Sequence, residues 1–440
     1  MSTRENCPQQ VKNPFKVRST APLFFYPMFH PGKDMMTRDK INSFIGNLQN
    51  PCVPSKKAEI YVHIPFCDSF CHMCACYKTH TPRDKSILAR YVELLRREMD
   101  YYAGTPYVQA LEIECVYFGG GTPSTLTREL IEELITHTKS RFNISGNKEI
   151  TFEGDVRTLK DRDRLEALRR SGCNRVSFGV QTLNKTARKL SGLVPTLEEI
   201  KECIHTLRAY GYKINFDLMF GLPGQDMDIW KEDLQAAVEL GVEGIDIYET
   251  IVYPTTKLFQ LRHKRPMADG GQRMEMLSFA IEYLGTNSFV QKSKAIHEKD
   301  GNEFKLLQLG HESPDTVAIG DSAIGYLNNY AYRNVSPLTA YMNRGNHAPL
   351  PLRLGIELDK EDYYARRMLI LPKILKISKS KYSEEIRHYR DKVNEMIDMN
   401  LIEEDAEYLK LTPLGKLWTD NIAYELIPSR KRGRMWKIMY

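Results

Sequence analysis

Four of the nine cysteines fall within ten residues, in Tyr61-Val62-His63-Ile64-Pro65-Phe66-Cys67-Asp68-Ser69-Phe70-Cys71-His72-Met73-Cys74-Ala75-Cys76. Cys67, Cys71 and Cys74 stand in C-x3-C-x2-C spacing. Three thiolates on one loop can wrap three corners of a cubane iron–sulfur cluster and leave the fourth iron open to another ligand. Structural zinc usually takes paired C-x2-C halves far apart in sequence. No second half exists here, although His63, His72 and His80 lie close. Unrelated core cysteines are the plainest alternative; a three-thiolate cage suits iron–sulfur best. An odd, clustered set of cysteines does not read as a disulfide framework.

Further segments carry ligand-binding chemistry. Tyr117-Phe118-Gly119-Gly120-Gly121-Thr122-Pro123-Ser124 has three glycines that let backbone approach a ligand and leave carbonyls to accept from an ammonium group. It is not a dinucleotide fingerprint, which needs G-x-G-x-x-G. Thr151-Phe152-Glu153-Gly154 places a carboxylate where it can bond a ribose or an ammonium. In Asn215-Phe216-Asp217-Leu218-Met219-Phe220 an acid interrupts an apolar run, a costly placement unless it is paired.

These segments need a scaffold, and the pattern supplies one. Apolar, β-branched runs at Glu59–Ile64, Glu112–Phe118, Glu149–Glu153, Asn174–Val180, Lys213–Phe220 and Gly244–Ile251 alternate with helix-like stretches. Those stretches lie at Asp84–Tyr102, Leu126–Arg141, Lys160–Ser171, Leu197–Tyr210 and Asp228–Leu240. Six strands alternating with helices imply parallel βα units with crossovers of one hand. An open or partial α/β barrel is the natural closure, with its chemistry at the C-terminal ends of the strands. The expected organisation is an N-terminal arm over 1–55, the partial (β/α)6 barrel over 56–265, an extension over 266–354, and a C-terminal winged-helix-like α+β module over 355–440.

The string H-I-P-F-C-x3-C-x2-C-x-C, with Gly-Gly-Gly-Thr-Pro one strand later, resembles the oxygen-independent coproporphyrinogen III oxidase branch of the radical S-adenosylmethionine (SAM) enzymes. The resemblance covers about residues 59 to 430. It implies a 4Fe–4S cluster on Cys67, Cys71 and Cys74, with SAM chelating the open iron. It implies SAM contacts from Gly120, Gly121, Thr122, Glu153, Gln181 and Asp217, and a second SAM, if present, lined by Ile251. Tyr61 and Cys76 match the branch's tyrosine and its extra, non-ligating cysteine; Tyr61 and Phe66 suit core packing as well as ligand contact. Two departures stand out. Leu193 occupies the place of an arginine that binds the SAM carboxylate, for which Arg188 or Lys189 would have to substitute. Glu153-Gly154-Asp155 replaces the acid-valine-aspartate string of the porphyrinogen dehydrogenases.

Both departures lead to an expectation of a class C radical SAM C-methyltransferase. It would use two SAM molecules on an sp2 carbon of menaquinone, a porphyrin or an aromatic natural product. The alternatives are coproporphyrinogen III oxidation with loss of carbon dioxide, and a heme chaperone. For the chaperone, His297 and His311 are only isolated histidines. A monomer served by a flavodoxin or ferredoxin fits the branch.

Composition bounds the rest. The chain has 440 residues, 42% hydrophobic and 27% charged, ordinary for a globular protein. A net charge of +6 accommodates an anionic substrate without calling for nucleic acid. The start shows no apolar signal region, and no run approaches the length of a transmembrane helix, so the expected location is the cytoplasm.

Overall fold

The computed structural model describes residues 14–15, 25–54, 56–144, 146–264, 266–302, 304, 315–344 and 350–432. His311 and the end of the basic tail lie outside them. All six expected strands form: β1 (Lys56–Ile64), β2 (Leu111–Gly120), β3 (Glu149–Gly154), β4 (Arg175–Gln181), β5 (Lys213–Phe220) and β6 (Gly244–Glu249). They are hydrogen-bonded in chain order and all neighbours run parallel. Strands of this kind need crossovers, and the intervening helices supply them: Lys85–Ala103, Arg128–Arg141, Arg162–Ser171, Leu197–Ala209 and Met227–Leu240. Each starts on a side-chain cap, from Asp84, Thr127, Asp161, Thr196 and Asp226 respectively. Such caps satisfy N–H groups that the first turn leaves open.

Strand period sets the two faces. In β1, Ala58, Ile60 and Val62 are fully buried under the helices, while Glu59, Tyr61 and His63 turn to the other face. Parallel register aligns Tyr61 with Tyr117, Tyr117 with Thr151, and Asp217 with Asp246. The inner face therefore carries rows of polar and aromatic side chains.

The segment after the barrel extends the same sheet. β7 (Phe289–Gln291) and β8 (Ile296–Lys299) add antiparallel beyond β6. On the opposite edge β9 (Asp315–Ile319) pairs parallel with β1, followed by β10 (Ile324–Leu327), β11 (Tyr330–Asn334) and β12 (Leu352–Glu357). The sheet thus has twelve strands. The arm is not wholly irregular. Helix Arg38–Asn47 forms behind a Thr37 cap and buries Phe44 against Tyr330 and Tyr332. The last part is the expected α+β module. It contains helices Lys360–Met368, Ile370–Ile374 and Arg390–Asp398, a hairpin of Ile402–Glu404 with Tyr408–Leu411, and helix Thr419–Leu426. Among the described residues no helix is long and apolar enough to cross a membrane.

Candidate active site

The cysteine loop leaves the C-terminal end of β1. Phe66–Cys67 pairs in parallel with Thr79–His80, and this short ladder closes the intervening residues into a loop. The loop is pinned at its centre. His72 N–H donates to the Ser191 carbonyl at 2.9 Å, and the His72 carbonyl accepts from Leu258 N–H at 2.8 Å. Cys67 is buried, Cys71 and Cys74 are half-buried, and Cys76 is exposed by area. Thr122 Oγ1 donates to Cys67 Sγ at 3.4 Å. Lys78 Nζ donates to the carbonyls of Cys74 at 2.8 Å and Cys76 at 3.2 Å. Hydrogen bonding from Cys76 pulls the Cys74 thiol down to about 5, whereas burial pushes Cys71 up to about 11 and also raises Cys67. The three thiols are neighbours on one loop. A bound metal holds the thiolate form and so lowers the pKa of each thiol that ligates it.

The glycine triplet at the end of β2 fits against this loop. Gly121 N–H donates to the Ile64 carbonyl at 2.8 Å, and Thr122 N–H to that of Phe66 at 2.7 Å. A Cβ on Gly121 would lie 2.8 Å from backbone atoms of Pro65 and Phe66. One on Gly120, at φ +112°, would fall on the His63 ring. The glycines are thus required by the close approach of two strand ends, a constraint that the motif alone does not reveal. Behind them, Glu153 accepts from Tyr117 O–H at 2.5 Å and from Gly120 N–H at 3.0 Å. Tyr61 O–H and His63 Nδ1 are 3.0 Å apart, and His63 Nε2 is 3.3 Å from the Tyr77 carbonyl. A carbonyl only accepts, so Nε2 carries the proton and the Tyr61 hydroxyl donates to Nδ1. Tyr61 also lies within electrostatic range of Glu153 and Cys76, which brings the strand-end acid and the extra cysteine together.

Gln181 sits at φ +69° with its Oε1 buried and without a hydrogen-bond partner among the described residues. An orphaned acceptor of this kind fits a bound donor. Asp217 is half-buried, and burial, then Asp246 and Glu153, raise its pKa well above the carboxylate range. Asp246 is raised by burial to about 7. Asp246 and Tyr248 were missed in the sequence, although their alternation in Gly244-Ile245-Asp246-Ile247-Tyr248-Glu249 places both on the inner face. Ile251 follows β6 and is half-buried.

Arg188 is engaged by backbone carbonyls. Its guanidinium donates to the carbonyls of Pro195 at 3.0 Å, Val180 at 2.8 Å and Thr182 at 2.7 Å, which makes it a strut under the turn at Gln181. Leu193 packs in an apolar cluster with Met73, Leu222 and Leu258. Gly154 has a packing reason as well, since a Cβ there would meet the Leu159 side chain at 2.6 Å.

Residues 61–237 match the model of the radical SAM superfamily. Anaerobilin synthase of Escherichia coli O157:H7 is 27% identical over 388 residues, 86% of this chain and 85% of the relative. Heme chaperone HemW of Lactococcus lactis is 28% identical over 379 residues, 82% and 94% of the two chains. Oxygen-independent coproporphyrinogen III oxidase of Pseudomonas aeruginosa is 28% identical over 411 residues, 86% and 88%. The solved coproporphyrinogen III oxidase (HemN) of Escherichia coli, described as a radical SAM enzyme, superposes with a TM-score of 0.76 at 22% identity. That superposition covers 91% of this chain and 97% of the other.

These names overturn the expectation of a C-methyltransferase acting on menaquinone or another flat acceptor. The relatives are named for porphyrinogen oxidation, heme handling and anaerobilin synthesis, and none for methyl transfer. The two features that had pointed away from the dehydrogenase are packing features. Gly154 makes room for Leu159, and Leu193 fills an apolar cluster. Neither reports on methyl transfer.

Proposed function

We propose, for a chain whose residues 61–237 match the model of the radical SAM superfamily, an oxidoreductase that acts on a carboxylate-bearing tetrapyrrole in the manner of the oxygen-independent coproporphyrinogen III oxidases. Membership in that superfamily would bring a 4Fe–4S cluster and SAM. In this reading Cys67, Cys71 and Cys74 hold the cluster. Gly120, Gly121, Thr122, Glu153, Gln181 and Asp217 surround SAM, and Ile251 lines the far side. The observation that carries the reading is the union of a C-x3-C-x2-C loop with a polar barrel interior, in a chain whose named relatives handle porphyrinogens or heme.

When bound, the cluster and SAM supply one-electron chemistry that removes a hydrogen atom from an unactivated carbon. The chain's own residues prepare that event. Glu153 is oriented by Tyr117 O–H and Gly120 N–H, and Tyr61 by His63. Burial favours the neutral form of Asp217 and Asp246, in which a carboxyl can donate a hydrogen bond as well as accept one. Each substrate propionate would lose a hydrogen atom, carbon dioxide and one further electron, the last to a one-electron acceptor, leaving a vinyl group. Delivery of the first electron by a flavodoxin or ferredoxin, a monomeric state and a cytoplasmic location belong to the same proposal.

The test is anaerobic turnover of the reconstituted protein with reductant, SAM and either coproporphyrinogen III or heme. Coproporphyrinogen-dependent 5′-deoxyadenosine together with a product lighter by carbon dioxide and two hydrogens for each propionate converted supports the proposal. Heme binding with no 5′-deoxyadenosine from either substrate refutes it and favours the chaperone reading, which rests on the likeness to HemW.

A further inference from the structure

Lysines converge on one cavity where the C-terminal module meets the edge of the large sheet. The cavity has a volume of about 560 Å³ and is lined by Lys292, Lys376, Lys381, Lys410 and Lys416, with Glu403 the only acid on its walls among the described residues. Lys292 follows β7 on the sheet side, and the other lysines belong to the module. None of Cys67, Cys71, Cys74, Gly120, Glu153 or Asp217 borders it.

Backbone pairing forces part of this charge together. Strand Lys376–Ser378 runs antiparallel to Tyr408–Leu411, with Lys376 directly opposite Lys410 and Ser378 opposite Tyr408. Alternation sets these side chains on one face, while Ile377 and Leu409 are buried on the other. Like charges directly opposite each other destabilise a strand pair. Lys410 is compensated by an ion pair with Asp405. Lys376 has no acidic partner among the described residues; its Nζ lies 3.4 Å from the centroid of the Tyr408 ring. Lys292 and Lys416 form no ion pair among the described residues either. Cations gathered on one cavity without acids to match repel one another, and a bound anion offsets that repulsion.

The remaining walls describe the rest of the ligand. Ile374, Ile377 and Leu411 bring apolar surface to the same cavity. Gln291 also lines it, and both Nε2 and Oε1 of its amide are buried without a hydrogen-bond partner among the described residues. Buried amide atoms are rarely left unpaired unless a bound molecule or an ordered water satisfies them. The volume is that of a small-molecule site, whereas a nucleic-acid duplex is held across a broad basic face. We propose that this cavity binds an apolar small molecule that carries several carboxylates, a tetrapyrrole held apart from the cysteine loop. The identity of the ligand rests on the tetrapyrrole reading; the inference adds a second place on the chain where substrate or product is held.

The experiment measures binding of coproporphyrin III and of its tetramethyl ester by equilibrium dialysis against the reconstituted protein. The parent is compared with Lys376→Met/Lys416→Met, Lys376→Arg/Lys416→Arg and Lys292→Met. A fourth variant, Lys33→Met/Lys201→Met, removes two charges at exposed positions elsewhere. Thermal melts are run on each. The parent should bind the acid at least about tenfold more tightly than the ester. Lys376→Met/Lys416→Met should lose about tenfold for the acid, in line with one charge-assisted hydrogen bond, and nothing for the ester. Lys292→Met should lose affinity in the same sense, and it decides alone if the double methionine variant fails to fold. The arginine pair and the Lys33→Met/Lys201→Met variant should keep the parent's affinity. Acid affinity in Lys376→Met/Lys416→Met equal to that of Lys33→Met/Lys201→Met overturns the site. If the parent still forms 5′-deoxyadenosine with coproporphyrinogen III, the tetrapyrrole reading stands without it. Salt-sensitive binding of a random-sequence DNA duplex that is lost in Lys376→Met/Lys416→Met, with porphyrin binding unaltered, overturns it in favour of nucleic acid. Absence of acid binding by the parent also overturns the site, and absence of 5′-deoxyadenosine together with it removes the reading as well.

Discussion

Gly120→Ala tests how the two strand ends are held. The residue sits at φ +112°, a region that costs an L-residue about 1–2 kcal/mol. The added Cβ would also fall on the His63 ring. Displacing that ring breaks the 3.0 Å contact with Tyr61 and weakens the 3.3 Å contact with the Tyr77 carbonyl. Each is worth about 0.5–1.5 kcal/mol net. The total is roughly 2–5 kcal/mol, and the part beyond backbone strain falls on the site. Gly172→Ala is the control. Its φ is +100°, so the strain is similar, but its Cβ meets only the movable end of Lys139, 2.7 Å from Nζ. Urea unfolding of the apo proteins should therefore show Gly120→Ala less stable than Gly172→Ala by about 1 kcal/mol or more. Calorimetry on the reconstituted proteins should show SAM affinity lost by more than about tenfold in Gly120→Ala and kept in Gly172→Ala, since 1.4 kcal/mol is a factor of ten. Parent-like SAM binding in Gly120→Ala would mean that the Gly120–His63–Tyr61 arrangement does not position the SAM site.

Three further outcomes follow from the geometry. Cys71→Ala should abolish the brown iron–sulfur absorbance after reconstitution and Cys76→Ala should keep it; equal iron content in the two refutes the ligand assignment. His297 is fully buried, its Nδ1–H bonds the Ala295 carbonyl at 3.0 Å, and burial lowers its pKa to about 4. Its folded value lies below the unfolded value near 6.5, so its contribution is complete above about pH 6.5 and is lost as pH falls through about 4, by up to about 3 kcal/mol; His297→Leu should flatten that part of the apo protein's stability profile, and an unchanged slope counts against it. Arg188→Lys should destabilise by about 2 kcal/mol through lost charge-assisted bonds, and should weaken SAM binding no more than Gln181→Ala does, because the arginine acts through the turn on either side of Gln181. A larger loss of SAM affinity would make Arg188 a direct ligand.

The barrel was legible because its determinants are local. Each strand is a short β-branched run and each helix opens on its own capping residue, so period and punctuation suffice. The strand-end residues Gly120 and Glu153 were legible for the same reason, since a parallel α/β sheet puts its chemistry at one end, and Asp217 because an acid inside an apolar run is costly unless paired. The edge strands were not. Asp315–Ile319 pairs with β1 across some 250 residues of intervening chain, and no local pattern announces a partner that distant. Helix Arg38–Asn47 was lost in a polar arm because its one fully buried residue, Phe44, has its partners in β11.

The deepest gap concerns charge. On the sequence, Lys360–Met368 and Ile370–Ile374 read as part of a charged, solvated helical region, and nothing in their spacing marks Arg366 or Lys373 as different from Arg367 or Lys376. What separates them is where the module docks. Arg367 pairs with Glu385 at 2.5 Å within the module, whereas the Arg366 guanidinium lies 3.6 Å from the centroid of the Tyr326 ring, on a strand of the large sheet. Motif reading therefore locates the cofactor end of the site, where ligand number and spacing are dictated by the chemistry. It misses contacts assembled between elements far apart in the chain, such as the bond from Lys294 N–H to the Lys373 carbonyl that fastens the module to the sheet.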